Sequence, residues 1–298
     1  MTKLSTLGEL GHFYECPRWH AGQWWLSDFY GYQVLTVAED GARSTVLEVP
    51  GQPGGLGWLP DGSLLVVAMR ERRVLRIGED DSMAVHADLG GVFPGFANDM
   101  TVSSNGTAYV GNFGFDLEDP SAQTRSTVLA MVTPDGSVQV VADSLHFPNA
   151  SFITPDGGTL IVNETLASRH TAFSINADGT LSERYVWAQV APPPPDPMAA
   201  LAGLTYAPDG GCLDAEGRLW AADVLGRRVV HIEVGGKIRS EIAMPDGLSA
   251  FACGLGGDDG KTLLITAAPD FSPGPRREAT ESVLLTTKVE VPRIGTQD

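Results

Sequence analysis

The feature that most constrains this chain is a recurring module: a short apolar segment, a turn containing Asp-Gly or a relative of it, and an apolar strand ending in a small or polar residue. It occupies residues 56–67, 100–110, 152–162 and 212–220, with Asp61-Gly62, Asn105-Gly106, Asp156-Gly157 and Glu216-Gly217 at the turns. Glycine in the second position supplies the positive φ that a tight hairpin demands, so each module reads as a β-hairpin. Further strands follow at 73–77, 128–132, 170–174 and 228–232, each leading into another polar turn and strand. That makes about four strands per unit. Aligned on their hairpins, the units start near residues 15, 55, 98, 149, 209 and 251. A repeat of about 40 to 50 residues with four strands is the signature of a β-propeller.

The expectation is therefore an all-β fold, a six-bladed β-propeller formed as one domain over residues 1–298. A pair of β-sandwiches or another blade number are the rival architectures. With 35 Gly and 20 Pro distributed throughout, the chain leaves little room for several long helices. Two longer spacings reflect insertions at 113–127 and 188–207, the second carrying Pro192, Pro193, Pro194, Pro195 and Pro197 and so excluded from ladder strands. Ring closure is expected to pair a strand within 3–13 with the last blade, which ends at 283–291, and so hide the sheet edges.

Charge narrows the partners. The formal net charge of −17 repels phosphate backbones and anionic membrane surfaces, so neither nucleic acid nor membrane is expected as a partner, and a small-molecule substrate is. Three cysteines, Cys16, Cys212 and Cys253, form an odd set without CxxC spacing, which fits a reducing compartment. The first residues lack a basic start and an apolar run, so the expected location is cytoplasmic. Nothing in the sequence fixes an oligomeric state.

In a propeller the first strand of each blade lines the channel, so the residues opening the repeats converge. Those positions carry Glu15, Gly54 or Gly55, Asn98, Asn149, Asp209, and Phe251 or Ala252. Carboxylates pointing into a narrow channel repel and desolvate each other unless a cation compensates them. Carboxylate and carboxamide oxygens are hard ligands, suited to Ca²⁺ and tolerable for Mg²⁺ or Mn²⁺, whereas the sequence offers no His/Cys cluster for a dedicated Zn²⁺ site. One divalent cation, Ca²⁺ first, is thus the expected cofactor, with Mg²⁺, Mn²⁺ and Zn²⁺ as alternatives. A second register, Asn112, Asn163 and Asp223, falls 14 residues after Asn98, Asn149 and Asp209. Equal offsets predict equivalent places, either capping strand ends or orienting the ligands.

The ordered set of Tyr14-Glu-Cys-Pro-Arg-Trp19, Phe96-Ala-Asn-Asp99, Pro148-Asn-Ala150 and the segment 208–220 resembles the senescence marker protein, gluconolactonase and luciferin-regenerating enzyme family. The resemblance covers nearly the whole chain and implies a six-bladed propeller related to calcium-dependent lactonases. It implies that Glu15, Asn149 and Asp209 are metal ligands, and that Asn98 touches metal or substrate. Asp116 falls near the place where some members present a carboxylate to sugar hydroxyls. Sugar-lactone members carry an arginine just before the Asn-Asp motif, whereas this chain has Phe93-Pro-Gly-Phe-Ala97. The implied substrate is therefore less polar than a sugar lactone. Phe93, Phe96, Phe113, Phe115, Phe147 and Met198 could furnish an apolar pocket of the kind that small ligands use, and His146 is placed at its rim.

The chemistry these residues suggest is hydrolysis of a cyclic ester: the metal polarises the carbonyl, and either Asp209 serves as candidate base for the attacking water or a metal-bound hydroxide attacks without a protein base. Serine nucleophile chemistry is disfavoured, because no G-x-S-x-G elbow occurs. The same site could instead serve phosphotriester hydrolysis or a lyase or isomerase step, and a non-catalytic, ligand-binding propeller is the reading from a different class.

Overall fold

In a computed structural model, residues 3–78, 82–116, 118–119, 121–193 and 203–295 are described. Strands are numbered β1 to β24 in chain order. Among the described residues they form six four-stranded sheets, and the only α-helix is α1 (Pro273–Glu278). Five of the sheets take four consecutive strands each, beginning with β2 (Tyr14–His20), β6 (Pro53–Trp58), β10 (Ala97–Val102), β14 (Pro148–Ile153) and β18 (Pro208–Leu213). The sixth begins with β22 (Ser249–Gly256) and takes its fourth strand from the other end of the chain. There β1 (Ser5–Gly11) lies antiparallel to β24 (Ser282–Lys288), with Ser5 opposite Thr286 and Leu7 opposite Leu284.

The turn chemistry read from the sequence has a visible mechanism. Gly62, Gly106, Gly157 and Gly217 all sit at positive φ. In three of these turns the residue before the glycine, Asp61, Asn105 or Asp156, accepts a backbone N–H from two residues on, while in the fourth Asp214 takes the N–H of Glu216. This local bond competes with extended chain and closes the hairpin.

The strands grade from dry to wet. Second strands such as β7 (Leu64–Ala68), β11 (Ala108–Asn112) and β19 (Leu219–Asp223) are buried at every residue, whereas fourth strands such as β5 (Arg43–Glu48) and β21 (Ile238–Ala243) are largely exposed and polar. Buried on both faces, a second strand needs an apolar run rather than alternation.

The sheets fall into two compact units. The first, the chain up to Pro53 together with that from Pro208 onward, holds the sheets starting at β2, β18 and β22. Its core joins Trp24, Leu26 and Leu35 to Leu264 and Leu284, and Trp220 and Ile242 to Cys253 and Leu263. The second unit, Gly54–Ala207, holds the sheets starting at β6, β10 and β14, with Tyr109, Leu129, Leu160 and Phe173 in its core.

His170 is buried in the second unit, its Nδ1 2.6 Å from Asn163 Oδ1 and its Nε2 2.8 Å from the Tyr206 hydroxyl. Burial drives its pKa down to about 3. The folded value lies below the unfolded one, near 6.5, so the stability tied to the neutral ring is complete above about pH 6.5 and is lost as pH falls toward 3, by up to about 1.4 kcal/mol per pH unit. Denaturant unfolding of the wild type and His170→Phe across this acid range is expected to give a flatter pH profile for the variant.

Candidate functional site

The candidate ligands share one local geometry. In the sheet starting at β10, Ala97 faces Asn112 and Met100 faces Val110, so Asn98 and Asp99 together oppose Gly111 alone. Likewise Asn149 and Ala150 sit between Pro148, opposite Glu164, and Ser151, opposite Val162, while Asp209 and Gly210 sit between Pro208, opposite Asp223, and Gly211, opposite Ala221. In β2 the register shifts immediately after Glu15, and Cys16 takes a φ of 52°. Each candidate thus lies in or beside a β-bulge near the start of a first strand. A bulge breaks the two-residue alternation and re-aims a side chain that a regular ladder would send between sheets.

Glu15 and Asp209 belong to the first unit, Asn98 and Asn149 to the second. Glu15 is buried and its Oε2 accepts the Cys16 N–H at 3.1 Å; Asp209 is half-buried. Asn149 is buried, and its Nδ2 donates to Thr165 Oγ1 at 3.2 Å; its carboxamide oxygen is the atom chemically suited to a cation. Asn98 is only 4% exposed, yet its carboxamide has no hydrogen bond among the described residues. Among the described residues no group of three or more His, Cys, Asp and Glu could hold a metal. The candidate set is of another kind: its donors are two carboxylates and two carboxamides. All four are hard oxygen donors, and the residues fit Ca²⁺ or Mg²⁺ in chemistry.

Glycine in the second strand β11 lets the first strand β14 of the next sheet approach closely. A Cβ on Gly111 would overlap the Pro148 carbonyl oxygen and stand 2.9 Å from that of Asn149. Gly111→Ala is therefore expected to destabilise the fold by about 1–3 kcal/mol and to disturb Asn149, which denaturant unfolding and metal titration would detect.

The second register is corrected in part. Asn112 and Asp223 hold equivalent places, opposite Ala97 and Pro208, but the residue opposite Pro148 is Glu164, and in β2 the matching residue is Asp28 opposite Tyr14. The hairpin of the fourth sheet contains one more residue, Gly158, which displaces Asn163 by one position and turns it toward His170. The four equivalent residues all tie down turns. Asp28 accepts the N–H groups of His12, Phe13 and Gly31; Asn112 bonds Gly114, Thr127 and Val128; Glu164 takes the His146 N–H and Arg169; Asp223 takes Gly226 and Arg228.

Of the expected aromatic lining, Phe113, Phe115 and Phe147 form a cluster with ring centroids 4.5 to 6.2 Å apart. Phe96 is half-buried, and the Arg70 guanidinium lies over its ring. Phe93 is core, 2% exposed. Asp116 is exposed and accepts the Glu118 N–H, and Met198 lies outside the described residues. His146, three residues before Asn149, is half-buried, and burial holds its pKa below the ordinary histidine value.

Sequence reasoning passed over Gln52. It directly precedes β6, as Phe13, Phe96 and Phe147 precede β2, β10 and β14. It is 2% exposed at a φ of 67°, and its Oε1 has no hydrogen-bond partner among the described residues. The available signal was a polar residue at a position that is aromatic in three of the other blades and apolar in the remaining two.

Six consecutive four-stranded blades, the last completed by the N-terminal strand, define the class: a six-bladed β-propeller. Residues 13–269 match the SMP-30/gluconolactonase/LRE-like region, and the chain belongs to that family. A gluconolactonase from Xanthomonas campestris, described as important in glucose secondary metabolic pathways, is 26% identical, with a TM-score of 0.75 over 98% of this chain and 90% of its own. A luciferin-regenerating enzyme superimposes with a TM-score of 0.80 at 15% identity, covering 98% of this chain and 97% of its own. A calcium-binding regucalcin from Agrobacterium tumefaciens gives a TM-score of 0.76 at 19% identity, covering 98% of both chains. These last two likenesses are of fold. Among curated proteins, none matches the sequence significantly. No helix among the described residues is long and apolar enough to cross a membrane.

Proposed function

We propose that the protein hydrolyses a cyclic ester, with Glu15, Asn98, Asn149 and Asp209 holding one hard divalent cation, Ca²⁺ before Mg²⁺, Mn²⁺ or Zn²⁺. The observation that carries this reading is the family match over 13–269, joined to four oxygen-bearing side chains recurring at the bulges of their strands. A cation held there would polarise the lactone carbonyl and stabilise negative charge developing on its oxygen. Asp209, half-buried, is the group to accept the proton of the attacking water. Asn98, with no bond of its own among the described residues, is suited to orient the substrate. Phe113, Phe115 and Phe147 supply an apolar face, which supports a substrate with a less polar body than a sugar lactone. His146, neutral by virtue of its burial, can serve as a hydrogen-bonding group at the rim rather than as a charge.

The test is a panel of lactones, linear esters and a phosphotriester, assayed with and without chelator. Lactone turnover is expected to fall at least a hundredfold on chelation and to return with Ca²⁺. Turnover confined to the phosphotriester, or lactonase activity indifferent to chelator, would defeat the proposal.

A further inference from the structure

The turn that follows β7 carries a cation to the neighbourhood of Asn98. Met69 accepts the Ala97 N–H at 3.0 Å, and a Cβ on Gly54 would stand 2.7 Å from the Asn98 carbonyl oxygen and 2.8 Å from Met69 Cγ. The next residue, Arg70, lays its guanidinium carbon 5.8 Å from the centroid of Phe96, two positions before Asn98. Phe96 is in turn bonded through its carbonyl to the Phe113 N–H, and Gly95 abuts the backbone of Phe115. Arg70, Phe96, Asn98 and the aromatic cluster are thus held together within the second unit by backbone contacts.

The nearby arginines have structural work. Arg72 donates to the Phe93 carbonyl at 3.1 Å, and Arg73 pairs with Glu71 and Asp88. Arg70 differs. Its one polar partner among the described residues is Glu118, reached by Nη1 alone at 2.8 Å, and the two side chains are 37% and 24% exposed. A pair so exposed is screened and weak. The rest of the guanidinium fork is unbonded among the described residues, and a planar fork held over an aromatic face is pre-organised to receive a carboxylate through two parallel bonds.

We infer that Arg70 is a specificity-determining residue, receiving a carboxylate of the substrate while the apolar body of that substrate lies against Phe113, Phe115 and Phe147. The substrate class is then an amphipathic, anionic lactone. Glu118 is the resting partner that the incoming carboxylate displaces. In its kinetic consequence this rests on the hydrolase reading above; in its binding consequence it does not.

The experiment uses the full chain with dihydrocoumarin and its analogue bearing a ring carboxylate para to the lactone oxygen, together with the corresponding unreactive cyclic ethers, chroman and its ring-carboxylated analogue. Calorimetric titration with the two ethers is expected to show preferential binding of the carboxylated one by wild type. That preference falls about tenfold to a hundredfold in Arg70→Ala, is partly kept in Arg70→Lys, and rises a few-fold in Glu118→Gln. The ratio of kcat/KM for the two lactones should move with it, through KM. Equal preference in wild type and in folded Arg70→Ala, or no binding of the carboxylated ether by wild type, overturns the inference. Arg70-dependent binding without turnover of either lactone would sink the hydrolase reading and leave this one standing.

Discussion

Asp209→Asn is expected to lower kcat on a lactone by about 10²- to 10⁴-fold while the protein stays folded. The substitution keeps the shape of the side chain but removes both the charge that a divalent ion requires and the lone-pair basicity that water activation requires. Asp209 is half-buried next to Gly210, in a bulge rather than in the core, so unfolding should shift by less than about 1 kcal/mol. Glu15→Gln should lower Ca²⁺ affinity as well, but with a smaller effect on turnover at saturating metal, since Glu15 has no role in accepting the proton. Steady-state kinetics with metal titration separate the two. A folded Asp209→Asn enzyme with wild-type kcat would mean that Asp209 is a turn residue and nothing more.

Glu164→Ala is expected to be the most destabilising single change near the site, by about 3–5 kcal/mol in denaturant unfolding. Glu164 is fully buried. Its two oxygens take Arg169 at 2.8 and 3.2 Å, the Thr171 hydroxyl and the His146 N–H, and Arg184 lies 3.5 Å away. Truncation leaves the half-buried Arg169 guanidinium and a backbone donor without their acceptor. Because the His146 N–H anchors the segment that leads into Pro148 and Asn149, a loss of metal affinity should accompany the loss of stability. Glu164→Gln, which keeps the shape and one acceptor, should lose less of both. If Glu164→Ala unfolds like the wild type, the carboxylate is not the clamp its bonds describe.

Much of this was legible in the chain. The Asp-Gly and Asn-Gly hairpins could be counted because a turn of positive φ writes itself into two adjacent residues, and the apolar second strands stand out because burial on both faces leaves no place for polar residues. The repeated oxygen side chains at 15, 98, 149 and 209 could be read because they recur at one position of a repeat. Asn163 went astray for the same reason. Counting by equal offset fails when a single glycine lengthens one hairpin, and only the pairing of Pro148 with Glu164 reveals the slip.

The sequence by itself determined the blade pattern, the closing role of the N-terminal strand and the candidate oxygen ligands, because all three follow from local turn geometry, strand periodicity and recurrence. The tertiary structure decided what depends on residues distant in the chain: the bulges at the candidate ligands, the clamp on Glu164, the Gln52 Oε1 left without a partner among the described residues and the cation that Arg70 sets over Phe96. The stretch 93–97 reads as lacking an arginine, and in sequence it does lack one. Space supplies it from a turn more than twenty residues earlier, since side-chain chemistry is shared across neighbouring strands and not along the chain.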